Sequence, residues 1–345
     1  MKKITILLVT TMLMGGILTG CQVESSISID KDDERELTTD ISQIHNLDIV
    51  IPRGTTSLAM SLMIESDDEK NNIDTDDAHN LYDLEYEITE STDVLMTAVM
   101  KGEPDIAIVP SNIALKAYNS GMSYELLGTI GFGSLYLIST NGDENFDDIK
   151  GKEVFNIGKG LTPDIVFKTL LDKKGIKEED VKFSYVGGAT ELAPTILSGK
   201  AEYAIVPEPV LSVIMAKNKN IKIIASLNDV WKESFNSENG FPQSSIIIKS
   251  DLAQNKEFVD KFGLKLDKSV DEVNENPVLA AVQEIKNGSK FENSILESSI
   301  KRAEIDFIKV NETIDDYNDY YKILNKLNPQ SIGKKLPDDE FFYEK

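Results

Sequence analysis

GEPDIAIVP at 102–110 and GKAEYAIVP at 199–207 are one phrase written twice, 97 residues apart. Each opens on a glycine turn, runs through a short apolar segment and stops at proline, the pattern of a brief buried strand. A helical pattern precedes each one, TDVLMTAVMK before the first and TELAPTILS before the second. Farther upstream, Ile51-Pro52-Arg53-Gly54-Thr55-Thr56-Ser57 has a counterpart in Ile157-Gly158-Lys159-Gly160-Leu161-Thr162-Pro163. Both carry Ile-x-basic-Gly-x-Thr between a strand pattern and a helix pattern. Two matched elements in the same order predict two similar lobes, each an α/β unit with a sheet flanked by helices.

The segments around the repeat fit that plan. Leu47–Ile51 reads as a strand, Leu58–Ile64 as a helix and Tyr82–Ile88 as a strand. Ser91 or Thr92 can cap a helix that runs to about Lys101. Pro104–Val109 reads as a buried strand, and Asn112–Asn119 as a helix closed by Gly121. Residues 66–80 (SDDEKNNIDTDDAHN) are acidic but lack the spacing of a calcium loop, so they read as a solvated surface loop. Tyr124–Thr140, broken by Gly128, Gly131 and Gly133, and Ser244–Lys249 are β-rich. These two stretches are the hinge crossings by which the chain enters a second lobe and returns. The expected division is a first lobe at 46–134, a second at 135–243, and a return strand with helices and tail at 244–345. Residues 251–327 read as mostly helical, and the tail as an extended strap along the first lobe.

The N-terminus carries an address. Lys2 and Lys3 precede an apolar run from Ile4 to Leu18, then Leu18-Thr19-Gly20-Cys21. At about 15 apolar residues the run is short for a membrane span and suits a signal peptide over residues 1–20. The last four residues resemble a bacterial lipobox, which makes Cys21 a lipidation site; the other reading is a plain signal peptide with a chance cysteine. Cys21 is the only cysteine, so no disulfide forms within the chain. Residues 21–45 are polar and charged and read as a lipidated tether. The expected location is the extracytoplasmic face of the cell membrane.

The net charge of −23 argues against nucleic acid and against adhesion to anionic headgroups. Catalysis finds little support. The two histidines, His45 and His79, fall in the tether and the acidic loop, and no Gly-x-Ser-x-Gly or His-Glu-x-x-His motif occurs. We expect no catalytic residues, no metal site, no cofactor and a monomer.

Ligands of open α/β sheets lie beyond the carboxyl ends of the strands, where helices begin. Small hydroxyl and glycine residues recur at such points: Arg53, Gly54, Thr55, Thr56 and Ser57; Ser111 and Asn112; Gly160 and Thr162; Gly188 and Thr190. Helix N-termini there favour anions or polar groups, although Ser and Thr are also ordinary caps. Arg53 can grip a carboxylate, sulfonate or phosphate, or can be a surface arginine beside a turn. Glu208 follows the second AIVP where Ser111 follows the first. It can receive an amine or simply complement its own helix. Tyr136, Tyr185 and Trp231, with Phe132, are candidates for stacking on a heterocycle, with buried core as the alternative.

The lipobox, FDDIKGKEVFNIGKGLTPDIVFKTLL, SYVGGATELAPTILSGKAEYAIVPEPVLS and the ending SIGKKLPDDEFF resemble the nitrate/sulfonate/taurine-type solute-binding proteins of ABC transporters, including their thiamine-precursor-binding branch. The resemblance spans roughly residues 46–340. It implies a two-lobed, type II periplasmic-binding-protein-like fold that closes on a small molecule and delivers it to a permease with its ATPase. Its ligand loops fall on Gly54–Ser57, Ser111-Asn112, Gly160–Thr162, Gly188–Thr190 and Glu208. The acidic 66–80 loop is long for that family. The chain also lacks the active-site histidine and cysteine-rich motif of the related precursor synthases. A solute-sensing lipoprotein is the second reading and an enzyme on the same fold the third. The expected ligand is a small polar organic molecule with an anionic or polar end at Arg53 and a donor-bearing end at Glu208.

Overall fold

The computed structural model describes residues 43–64, 72–75 and 80–344. Cys21, the signal peptide, most of the tether and His79 lie outside the described residues. In chain order the first lobe contains β1 (Gln43–Pro52), α1 (Thr55–Ala59), β2 (Asn72–Thr75), β3 (Asn80–Thr89), α2 (Thr92–Met100), β4 (Ile106–Pro110), α3 (Ser111–Asn119) and β5 (Tyr124–Phe132). The second contains β6 (Leu135–Ser139), β7 (Glu153–Asn156), α4 (Thr162–Lys173), β8 (Lys182–Tyr185), α5 (Ala189–Leu197), β9 (Tyr203–Pro207), α6 (Val210–Lys217), β10 (Lys222–Ser226) and α7 (Leu227–Phe235). The chain returns to the first lobe through β11 (Pro242–Lys249), α8 (Ser250–Ala253), α9 (Lys256–Glu275), α10 (Pro277–Lys286), α11 (Asn293–Ile300), β12 (Ile305–Lys309) and α12 (Val310–Leu327).

The first sheet has the order β12-β5-β11-β4-β1-β3-β2 and the second β10-β6-β9-β7-β8. The repeat is visible in this order. The two AIVP strands, β4 and β9, each lie parallel to the first strand of their lobe, β1 and β7. Those first strands in turn pair in parallel with β3 and β8. On its other side each AIVP strand meets an antiparallel crossing strand, β11 beside β4 and β6 beside β9. Both AIVP strands are buried along nearly their whole length because helices cover both faces of each sheet.

Three apolar clusters hold these layers. One packs α1, α9, α10 and α11 on one face of the first sheet, around Phe258, Phe262 and Leu266. A second lies under α5 and α6 of the second lobe, around Leu192, Ile196 and Leu211. The third is shared by both lobes. It runs from Leu115 and Tyr124 through α12 to Phe167, Leu170 and Trp231. Helix α12 reaches both sides because Val310, Thr313, Tyr317, Tyr320, Tyr321 and Leu324 form one buried stripe at helical spacing.

Four local expectations need correction. Strand β1 begins at Gln43, inside the stretch read as tether, because β3 offers a parallel partner from Gln43↔Asn80 onward. His45 thus lies in β1, with its ring stacked on Tyr82 at 5.3 Å. The acidic loop contains an edge strand, β2, whose Ile73 and Thr75 are buried against the sheet. The helical C-terminal region is interrupted by β12, where Ile305 and Phe307 turn inward and Asp306 outward. Gly128 makes room for it: a Cβ there would stand 2.5 Å from the Ile308 carbonyl oxygen. The tail is not a plain strap but forms short 3₁₀ turns at Pro329–Ile332 and Asp339–Phe341. Phe342 makes a single bridge to Leu126.

Candidate functional site

The carboxyl ends of β1, β3 and β4 in one lobe and of β7, β8 and β9 in the other carry every candidate ligand loop. On the first-lobe side, Gly54 has φ +139°, a backbone state that side chains rarely adopt, and it turns β1 directly into α1. The Gly54 amide donates to Ser57 Oγ (3.1 Å), and Thr56 Oγ1 donates to the Pro52 carbonyl (2.7 Å). Thr55 is half-buried and Thr56 buried. Arg53 spends each guanidinium nitrogen on the protein. Its Nε donates to Glu90 (3.0 Å), Nη1 to Glu284 (2.8 Å) and Nη2 to the Asn287 carbonyl (2.9 Å). Burial opposes its charge, and the bonds to Glu284 and Glu90 outweigh that and hold its pKa above the ordinary value.

Ser111, at the start of α3, is fully buried. It accepts from Ser245 Oγ at 2.7 Å, and Ser245 lies 2.7 Å from the Tyr317 hydroxyl. Tyr321 donates to the Ser111 carbonyl (2.9 Å), and Asn112 donates to the Ser331 carbonyl (3.3 Å). This corner is a neutral hydroxyl network closed by α12.

On the second-lobe side, Gly160 has φ +73° and its amide donates to Asp164 Oδ2 (2.8 Å). Asn328 donates to the Gly160 carbonyl (2.6 Å), and Thr162 Oγ1 shares a 2.7 Å hydrogen bond with Tyr320. Tyr185 donates to Asp164 Oδ1 (2.7 Å), and the Lys159 ammonium stands 5.5 Å above its ring. Gly188 precedes α5, and Thr190 is the second residue of that helix. Glu208 is buried after β9. It accepts from Arg302 Nε (2.6 Å) and the Ser212 amide (3.1 Å), and Arg302 Nη2 donates to Ser212 Oγ (2.7 Å). Burial pushes the Glu208 carboxyl above the usual carboxylate range, and Arg302 only partly pulls it back.

Two expectations are overturned here. Tyr136 and Trp231 do not offer ring faces for stacking. Trp231 is packed against Phe235, Phe241 and Tyr320, and the buried Tyr136 donates to the Arg302 carbonyl (2.7 Å). Trp231 belongs to the core shared by the two lobes and Tyr136 to the core of the second lobe. Nor do Arg53 and Glu208 stand as open charges, because α10 and the segment before β12 bring each an opposite partner. The family motifs pointed to neither Glu284 nor Arg302.

The two crossings between lobes lie side by side. Asn228, fully buried on α7, accepts from the amides of Gly133 (3.3 Å) and Phe241 (3.2 Å), one on each crossing. Ser134 and Gln243 exchange two further bonds across the pair. Gly133 has a packing reason as well as a hinge position: a Cβ there would fall 2.1 Å from the Phe241 ring.

Comparison with known proteins agrees with this architecture. A family model described as NMT1/THI5 like matches residues 82–280. No curated protein matches the chain. Among solved structures, an ABC transporter protein from Parabacteroides distasonis is 24% identical and superimposes with a TM-score of 0.73, covering 87% of this chain and 99% of its own. The periplasmic aliphatic sulphonate binding protein SsuA from Escherichia coli is 12% identical with a TM-score of 0.66, over 84% of this chain and 96% of its own. A Candida albicans protein described as having the generic periplasmic binding protein fold is 14% identical with a TM-score of 0.54, over 86% and 99%. At these identities the likeness establishes the periplasmic-binding-protein fold. With the repeat, the twin sheets and a family match over more than half its length, this chain belongs to the NMT1/THI5-like family.

Proposed function

We propose that this protein is the lipid-anchored solute-binding component of an ABC importer, capturing a small polar organic molecule between its lobes and handing it to a permease and ATPase. The observation that carries this reading is the pairing of equivalent strand ends. Each lobe presents loops after its first, second and AIVP strands, and two adjacent crossings join the lobes. A clamp of this kind can rotate about its crossings and make contacts available only when closed. The ligand-loop candidates Thr55, Thr56, Gly160, Thr162, Gly188 and Thr190 supply neutral polar groups and helix N-termini, which suits polar recognition without turnover. Cys21 remains the proposed anchor on the strength of the lipobox.

A thermal-shift screen of purified protein tests the reading. Ligand at 100 times its dissociation constant should add about 2.7 kcal/mol of stability. Substitution of Thr56 by Val and of Thr162 by Val should each weaken binding of a hit. Stabilisation by a compound that both variants bind as tightly as the wild type refutes the cleft as its site. Cys21→Ser should move the folded protein from the membrane fraction to the soluble one.

A further inference from the structure

Glu284 lies on α10, far from Arg53 in sequence, and its side chain is 1% exposed. Its Oε1 accepts from both Arg53 Nη1 and Ser57 Oγ, each at 2.8 Å, while its Oε2 has no hydrogen-bond partner among the described residues. Arg53, itself 13% exposed, also pairs with Glu90, which is 66% exposed. One guanidinium therefore faces two carboxylates, one buried and one at the surface. At the end of β9 in the second lobe the pairing recurs with signs reversed, because Glu208 is cancelled by Arg302. An oxyanion arriving at the β1–β3 corner meets an arginine already neutralised and an exposed carboxylate beside it. To claim Arg53 it must displace Glu284, which would leave a buried carboxylate without its cation.

We propose, taking the interlobe cleft as the ligand site, that Glu284 determines charge selectivity: it cancels Arg53, so the head group received at this corner is an ammonium or another donor-rich group facing Glu90, and not an oxyanion. Rejection works by an unpaired charge built against the wrong ligand. The anionic or polar end expected at Arg53 from the sequence is thus replaced by a donor-rich head group. Lys159, on the second lobe, is the cation that this argument does not neutralise, so it enters the test.

The test uses two probes that differ only in the charged end, 2-aminoethanol as its ammonium and 2-hydroxyethanesulfonate. Each is titrated against wild type, Glu284→Gln, Glu90→Gln, Arg53→Gln and Lys159→Gln by calorimetry. Wild type should prefer the ammonium by at least tenfold, equivalent to 1.4 kcal/mol. Glu284→Gln keeps the side-chain shape, frees the Arg53 charge, and should shift the preference towards sulfonate by at least tenfold. Glu90→Gln, at an exposed position that cannot unfold the core, should weaken the ammonium alone. A wild type that prefers sulfonate overturns the proposal, whether Arg53→Gln or Lys159→Gln abolishes that binding. An unchanged preference in both folded glutamate variants overturns it too. No response to either probe also overturns it; hits in the wider ligand screen would then still uphold the cleft itself.

Discussion

Ser111 and Glu208 occupy the same place in two copies of one motif, and they are stabilised by opposite means. Each follows an Ala-Ile-Val-Pro strand and each is buried, Ser111 as the first residue of α3 and Glu208 in the turn that leads into α6. Ser111 is neutral, and hydroxyls from β11 and α12 complete it at close to no electrostatic cost. Glu208 is charged, and burying it demands a cation, which arrives as Arg302 from a segment 94 residues away. A repeated backbone thus sets where a side chain sits, while the chemistry of that side chain sets what the rest of the chain must bring to it.

The largest effect should come from breaking the ionic copy. Arg302→Ala leaves Glu208 buried without its cation and should cost about 3 kcal/mol in chemical denaturation, at the low end for a buried pair because Arg302 is itself partly exposed. Ser111→Ala at the neutral copy should cost about 1 kcal/mol. Equal losses at the two sites would refute the contrast. The same logic means that Glu208→Ala reports on folding as much as on ligand: a loss of stability accompanies any loss of binding.

Tyr320→Phe sharpens the comparison across the lobes. It removes the hydroxyl bonded to Thr162 but keeps the ring against Trp231 and Phe241. A loss of about 1 kcal/mol is expected, with the shared core intact by near-ultraviolet circular dichroism. No loss would show that the Thr162 contact contributes nothing to joining α12 to the second lobe.

The smallest effect is a dependence on pH. Burial raises the Glu208 carboxyl in the folded state above its unfolded value. As pH rises through that interval the unfolded chain releases its proton first, so the folded state binds more protons and stability falls with pH. Ser111 has nothing to titrate. Glu208→Gln should therefore flatten the decline in denaturation midpoint between about pH 4.5 and the raised folded pKa. A slope unchanged by this substitution would assign the dependence to the other carboxyls that burial raises, Glu125, Glu284, Glu304 and Asp306.

Much of the architecture was legible because it is written locally. The β-α alternation, the two crossings and the repeat depend on patterns a few residues long. Strands β2 and β12 were not legible, since four or five residues at a sheet edge become a strand only when a neighbour offers hydrogen bonds. The strand-end loops were identified by the same local logic, but their partners were not. A faint signal existed: the chain has only three arginines, Arg35, Arg53 and Arg302, among 36 basic residues. Arginine is the residue suited to buried pairing with carboxylates, so its scarcity hinted that Arg53 and Arg302 each answer a particular acid.

What the sequence by itself determined is the duplicated frame: two lobes, their strand ends and the loops that leave those ends. Short-range sterics and hydrophobic period suffice for that. Only the tertiary structure decided the electrostatic state of those loops. Arg53 meets Glu284 across 231 residues and Glu208 meets Arg302 across 94, and no local pattern encodes such distances. A charge acts through space and takes its value from burial and from its neighbours, so the character of these strand ends is set by segments that arrive from the far end of the chain.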